Sequence, residues 1–153
     1  MSPFSSKSSK RKLRRRRGAA VVEFAVVAPI FIMLVFGMIE FGRAVMVQQV
    51  LVNASREGAR QAVLDGSSVN EIEDRIDVYL SASGINNENI IYSVNGSNVS
   101  DPTTESQFGD AVGVEIRVNF NDVSWMPVPQ YIGGTVLRAS SIMRRETQAV
   151  NSN

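Results

Sequence analysis

The side chains able to do chemistry are few in kind. Among 153 residues there is no cysteine and no histidine. That excludes thiolate zinc sites, cysteine nucleophiles, disulfide scaffolds and imidazole acid–base catalysis together. Fifteen carboxylates remain, and those beyond residue 40 are scattered on polar faces, with no two spaced as a general acid/base couple. The glycines form no phosphate-cradling loop, and Gly133-Gly134 reads as a turn. Asn53, Asn95 and Asn98 each begin a glycosylation sequon, a short pattern that chance supplies often. Trp125, beside Pro127 and Pro129, is either a binding aromatic or a cap on the core. The residues alone point to no catalytic residue, no metal site, no cofactor and no enzyme. One carboxylate stands apart. Glu23 is the only acid in the first 39 residues and lies inside an apolar run. A carboxylate in mid-bilayer costs on the order of 2–3 kcal/mol. It therefore has either a functional partner or a way out by snorkelling toward Arg17.

The element that positions Glu23 runs from Ala19 to Ile39. Of these 21 residues only Glu23, Pro29 and Gly37 fall outside the apolar set. A helix of that length is about 31 Å long, matching the hydrocarbon thickness of a bilayer. A secretory signal has a shorter apolar core, about 7–15 residues, and ends at small residues suited to cleavage. Here Glu40, Phe41, Gly42 and Arg43 follow instead. The run reads as a retained transmembrane helix, residues 19–41. Before it, residues 1–17 hold eight basic side chains and no acid, while the remainder holds eight basic and fifteen acidic ones. A near-neutral total conceals a basic arm on an acidic body. Arg14, Arg15, Arg16 and Arg17 abut the span as a topology signal. The positive-inside rule keeps residues 1–18 in the cytoplasm and sends residues 42–153 across the membrane in a single pass. With no interleaved aromatics and a bilayer beside it, the basic cluster is matched to anionic lipid heads rather than nucleic acid. Residues 2–10 read as disordered.

Helical spacing continues past the span. Val47, Val50, Leu51, Ala54, Gly58 and Ala62 mark one face. Ala54, Gly58 and Ala62, four apart, form a packing motif small enough for another element to approach the backbone. Glu57 and Arg60 stand at i,i+3, where they can pair. Asp65-Gly66 is a stop signal, which gives one helix of about 45 residues. A second helix follows. Ser68 and Glu71 fit a capping box, Val69, Ile72, Ile76, Tyr79 and Leu80 form its stripe, and Gly84 ends it. Ile90 to Val94, running into the turn signal Asn95-Gly96, reads as a strand, as does the alternation of Val112, Val114, Ile116, Val118 and Phe120. Thr135 to Met143 is a third, with a polar loop near 96–109 between the first two. The fold class is α+β: a long N-terminal transmembrane helix continuing into the aqueous phase, a second short helix and a small antiparallel sheet of about three strands.

Gly18-Ala19-Ala20-Val21-Val22-Glu23-Phe24, preceded by a basic leader ending at Arg17, resembles the prepilin-peptidase signal of type IV pilin-like proteins. The shared features are the glycine, the glutamate as fifth residue after it, and the aromatic that follows. The continuation to Pro29, then Glu40-Phe41-Gly42-Arg43 and Ser55-Arg56-Glu57-Gly58-Ala59-Arg60, is similar to the N-terminal pattern of TadE-like pseudopilins. The resemblance covers residues 18–63. Past residue 66 only the general layout corresponds, ending in a strand followed by Arg144-Arg145-Glu146.

The resemblance implies a minor pseudopilin-like protein of the bacterial cytoplasmic (inner) membrane that takes part in Tad (Flp) pilus assembly. Its implied partners are the membrane, a prepilin peptidase and other pilin or pseudopilin subunits, with no nucleic acid and no cofactor. The implied cleavage site is Gly18–Ala19. The carboxylate of Glu23 would then serve assembly by pairing with the new amine of a neighbouring subunit. A second class stays open, an unprocessed signal-anchored module that binds a ligand outside the membrane.

Overall fold

The structure, a computed structural model, describes residues 9–124 and 134–146, with side chains from Gly18 onward. Trp125, Pro127 and Pro129, and the side chains of Arg14, Arg15, Arg16 and Arg17, lie outside the described residues. The chain divides into two compact units, Met1–Ile39 and Glu40–Asn153.

The described part of the first unit is helical. Helix α1 (Ser9–Ala62) starts within the basic run, so it takes in Ser9 and Lys10 from the stretch that reads as disordered. Lysine and arginine are good helix formers, and no glycine or proline interrupts them before Gly18. Pro29 lies inside the helix and donates no N–H, which leaves the Ala25 carbonyl without its usual partner. The apolar side chains are uncovered: Phe24 is 72% exposed and Met33 74%.

The second unit is α+β. The part of α1 from Glu40 onward and α2 (Val69–Ser81) share one core with a four-stranded antiparallel sheet of order β2-β1-β3-β4. Its strands are β1 (Glu88–Val94), β2 (Ser97–Val99), β3 (Ala111–Asn119) and β4 (Val136–Arg144). Two single-turn helices, α3 (Pro102–Glu105) and α4 (Phe120–Val123), bracket β3. The alternation in β3 sets the core face, where Val112, Val114, Ile116 and Val118 are all buried. Across the ladder they meet Met143, Ser141, Ala139 and Leu137 of β4. On the other side they meet Val94, Tyr92, Ile90 and Glu88 of β1.

Helix α2 begins at the capping box, Ser68 Oγ accepting from the Glu71 N–H and Glu71 Oε2 from the Ser68 N–H. It buries Ile72, Ile76 and Leu80, each worth about 1.5–3 kcal/mol by transfer. Tyr79 falls outside that stripe and is 41% exposed, because spacing of three and four keeps residues 72, 76 and 80, with half-buried Val69, over the core.

The sheet has one strand more than the three expected. The addition, β2, lies inside the stretch that reads as loop. Asn95 (φ 50) and Gly96 (φ 84) both adopt positive φ, the two-residue turn that returns a chain antiparallel to itself. Tyr92, Ser93 and Val94 therefore pair with Val99, Asn98 and Ser97. Phe120, read as the end of a strand, instead opens α4.

Candidate functional site

The uncovered apolar stretch of α1 carries the two residues singled out for processing and assembly. At Gly18 a Cβ would meet nothing within 4 Å, and the same holds at Gly37 and Gly42. Glycine inside a helix costs about 1 kcal/mol relative to alanine. Among the described residues no packing at Gly18 offsets that cost. Glu23 follows on the same helix, exposed among Val21, Val22, Phe24 and Val26, which are 62–72% exposed. Ala19 and Glu23 are four apart and share a helix face. Within Gly18–Ala62 an 18-residue window has mean hydropathy 2.6 with none of it buried, long and apolar enough to cross a membrane. An uncovered apolar surface of this extent marks contact with lipid or with other chains.

The other half of the recurring pattern is built into the second unit. Glu40 is only 7% exposed, and its Oε2 accepts from Ser124 Oγ at 3.1 Å. Arg43 donates through Nε to the Val123 carbonyl. Together they hold the end of α4 against the start of the unit's own helical stretch. One helix turn after another then goes inward: Val47, Leu51, Ala54, Ser55, Gly58, Ala59 and Ala62 are buried. Ser55 Oγ bonds Ser141 Oγ of β4 at 2.9 Å. A Cβ on Gly58 would lie 2.8 Å from Ile76 Cδ1 and 3.3 Å from Val114 Cγ1, so α2 and β3 both close on that point. Arg60 donates to both oxygens of Glu57 at 2.9 and 2.6 Å, and this hydrogen bonding holds the Glu57 carboxyl below its ordinary range.

Sequence reasoning passed over two polar features. Arg145 Nη1 donates to the Thr103 carbonyl (2.9 Å), the Ser106 carbonyl (3.1 Å) and Ser106 Oγ (2.9 Å). Its Nη2 meets Asp65 Oδ1 at 3.1 Å, so one guanidinium ties the end of β4 to α3 and to the turn after α1. Between α2 and β1, burial raises the Glu88 carboxyl above its ordinary value, reinforced by Asp77 and Glu73. Burial likewise raises the Tyr92 phenol, with Glu73 adding to it. Among the described residues no three His, Cys, Asp or Glu side chains gather as metal ligands would.

Residues 18–60 match the family model described as TadE-like protein. Over that stretch the chain is TadE-like. No curated protein and no solved structure matches it. The TadE-like segment begins at Gly18 and stops two residues short of the end of α1. It takes in Glu23, Glu40, Arg43, Ser55 and Gly58, and leaves α2 and the whole sheet outside. The match lies on a helix long and apolar enough to cross a membrane, and its apolar window is uncovered among the described residues.

Proposed function

We propose that this protein is a minor pseudopilin-like subunit, cut between Gly18 and Ala19 by a prepilin peptidase and then used in assembling a Tad pilus. The observation that carries the reading is the pairing of Gly18 with Glu23 on an uncovered apolar helix. Among the described residues nothing packs against the glycine, and the carboxylate lies where lipid would otherwise surround it. Both become intelligible if a peptidase reads the glycine and a second subunit meets the carboxylate.

The leader holds residues 1–17 in the cytoplasm, and residues 42–153 lie across the membrane. A reporter active only outside the cytoplasm, fused after Asn153, works in this orientation and is silent in the other. Cleavage removes all eight basic residues of the arm and creates an α-amine at Ala19, with an ordinary pKa of about 7.7–8 and so largely cationic at neutral pH. A carboxylate and an ammonium that meet in low dielectric attract strongly, and either one left alone there is costly. The pair from two subunits thus fixes register as well as affinity. Losing the arm also frees the helix from its cytoplasmic anchor.

The two positions fail differently. Gly18→Phe leaves the uncut, longer species in the membrane. Glu23→Gln is cut normally but reduces pilus yield at least tenfold. Full pilus assembly by a correctly cut Glu23→Gln variant would return Glu23 to a snorkelling carboxylate with no part in assembly.

A further inference from the structure

The last strand leaves an edge that the rest of the unit does not use. Among the described residues β4 pairs with β3 alone. The phase of the ladder is fixed at both ends: the Phe120 N–H donates to the Thr135 carbonyl at 2.9 Å, and the Arg145 N–H to the Asp110 carbonyl at 3.0 Å. In an antiparallel strand, alternate residues direct their backbone groups to opposite edges. Odd-numbered residues of β4 therefore face β3. Val136, Arg138, Ser140, Ile142 and Arg144 face outward, and their side chains are exposed. The Arg138 carbonyl is met from that side by Gln48 Nε2 at 2.8 Å, and among the described residues the stretch from Ser140 to Arg144 stays open. A groove of about 470 Å³ lies along α1, lined by Gln48, Val52, Asn53 and Arg56, and reaches β4 at Leu137.

The charge of this strip runs against that of its surroundings. From residue 18 onward the chain has eight basic and fifteen acidic residues. Arg138 and Arg144 stand on the outward face of β4, Arg117 stands beside them on β3, and Arg56 lines the groove. The acids nearby are Glu115, which Arg117 engages at 2.8 Å and Arg138 also attracts, and Glu146, two residues past Arg144. A strand edge repels a second copy that brings the same arginines to it, and attracts a strand that brings carboxylates.

We infer that the open edge of β4 receives an extended acidic segment of a different polypeptide, added as a fifth strand. Backbone hydrogen bonds to Ser140, Ile142 and Arg144 supply the pairing, and alternate carboxylates meet Arg138 and Arg144. Such an edge, if left unused, is more often shortened, bulged or covered. The inference stands on the second unit alone and does not depend on cleavage at Gly18.

The test uses the uncut full chain in zwitterionic detergent and two fluorescein-labelled strand peptides, one alternating threonine with glutamate and one threonine with lysine. Anisotropy titrations should show the acidic peptide binding at least tenfold more tightly than the basic one. Ile142→Pro removes one outward N–H, a change that edge strands tolerate, and should weaken acidic-peptide binding at least tenfold. Hydrogen exchange of the β3 amides checks that the sheet is intact. If it is not, Ser140→Pro removes another outward N–H in its place. Arg138→Glu combined with Arg144→Glu should reverse the preference. Equal binding of the two peptides, binding of neither, or binding indifferent to both proline variants would each overturn the inference. So would a wild-type chain that is dimeric in the micelle and becomes monomeric with Ile142→Pro, since the occupant would then be a second copy.

Discussion

Arg145 holds together three segments that are far apart in the chain. Its side chain is 11% exposed, and its planar fork reaches two backbone carbonyls, a hydroxyl and the Asp65 carboxylate at once. A lysine has the charge but not the geometry to meet those acceptors together. Arg145→Ala should therefore cost the second unit about 2–4 kcal/mol, since the buried Ser106 and the Thr103 carbonyl lose a charged donor. Arg145→Lys should recover less than half of that. Urea-dependent proteolysis of the detergent-solubilised chain measures both, and a loss below about 0.5 kcal/mol for alanine would show the clamp to be a surface contact. Nothing near Arg145 announces this role. Its partners lie 39, 42 and 80 residues away, and spacing rules reach only neighbours on one helix or strand. Glu23 is the opposite case: a single acid in an apolar run is visible in the sequence with no structure at all.

Among the elements, those with a strong period were the legible ones. The capping box at Ser68 and Glu71, the four-residue stripe of α2 and the alternation of β3 each repeat often enough to be read from residue types. The Asn95-Gly96 turn was legible, but β2 was not, because three residues carry no period and what makes them a strand is their pairing with Tyr92, Ser93 and Val94. The small face of α1 was legible as small. What occupies the space is tertiary information: Ile76 from α2 and Val114 from β3. That closeness gives a prediction with two arms. Gly58→Leu should cost about 1–3 kcal/mol through overpacking, seen as a lower urea midpoint of the second unit. Gly58→Ala should cost less than leucine but should not stabilise. Its Cβ would lie 2.8 and 2.9 Å from Cδ1 and Cγ1 of the buried Ile76, which offsets the gain of about 1 kcal/mol in helix propensity. A leucine variant as stable as wild type would mean that α2 and β3 do not close on α1 there.

At the scale of the whole molecule the governing fact is an uneven distribution of charge and apolar surface along the chain. Eight basic residues precede an apolar helix that is uncovered among the described residues, and an acidic α+β unit follows it. The TadE-like match spans the apolar helix and the part of α1 built into the second unit, and it ends before the sheet. Everything proposed about assembly begins with one bond being cut. N-terminal sequencing of the protein purified from membranes that contain the prepilin peptidase tests it most directly. The account predicts a chain that starts Ala19-Ala20-Val21-Val22-Glu23, with residues 1–18 gone. A mature protein that keeps its arginine leader in those membranes would contradict it.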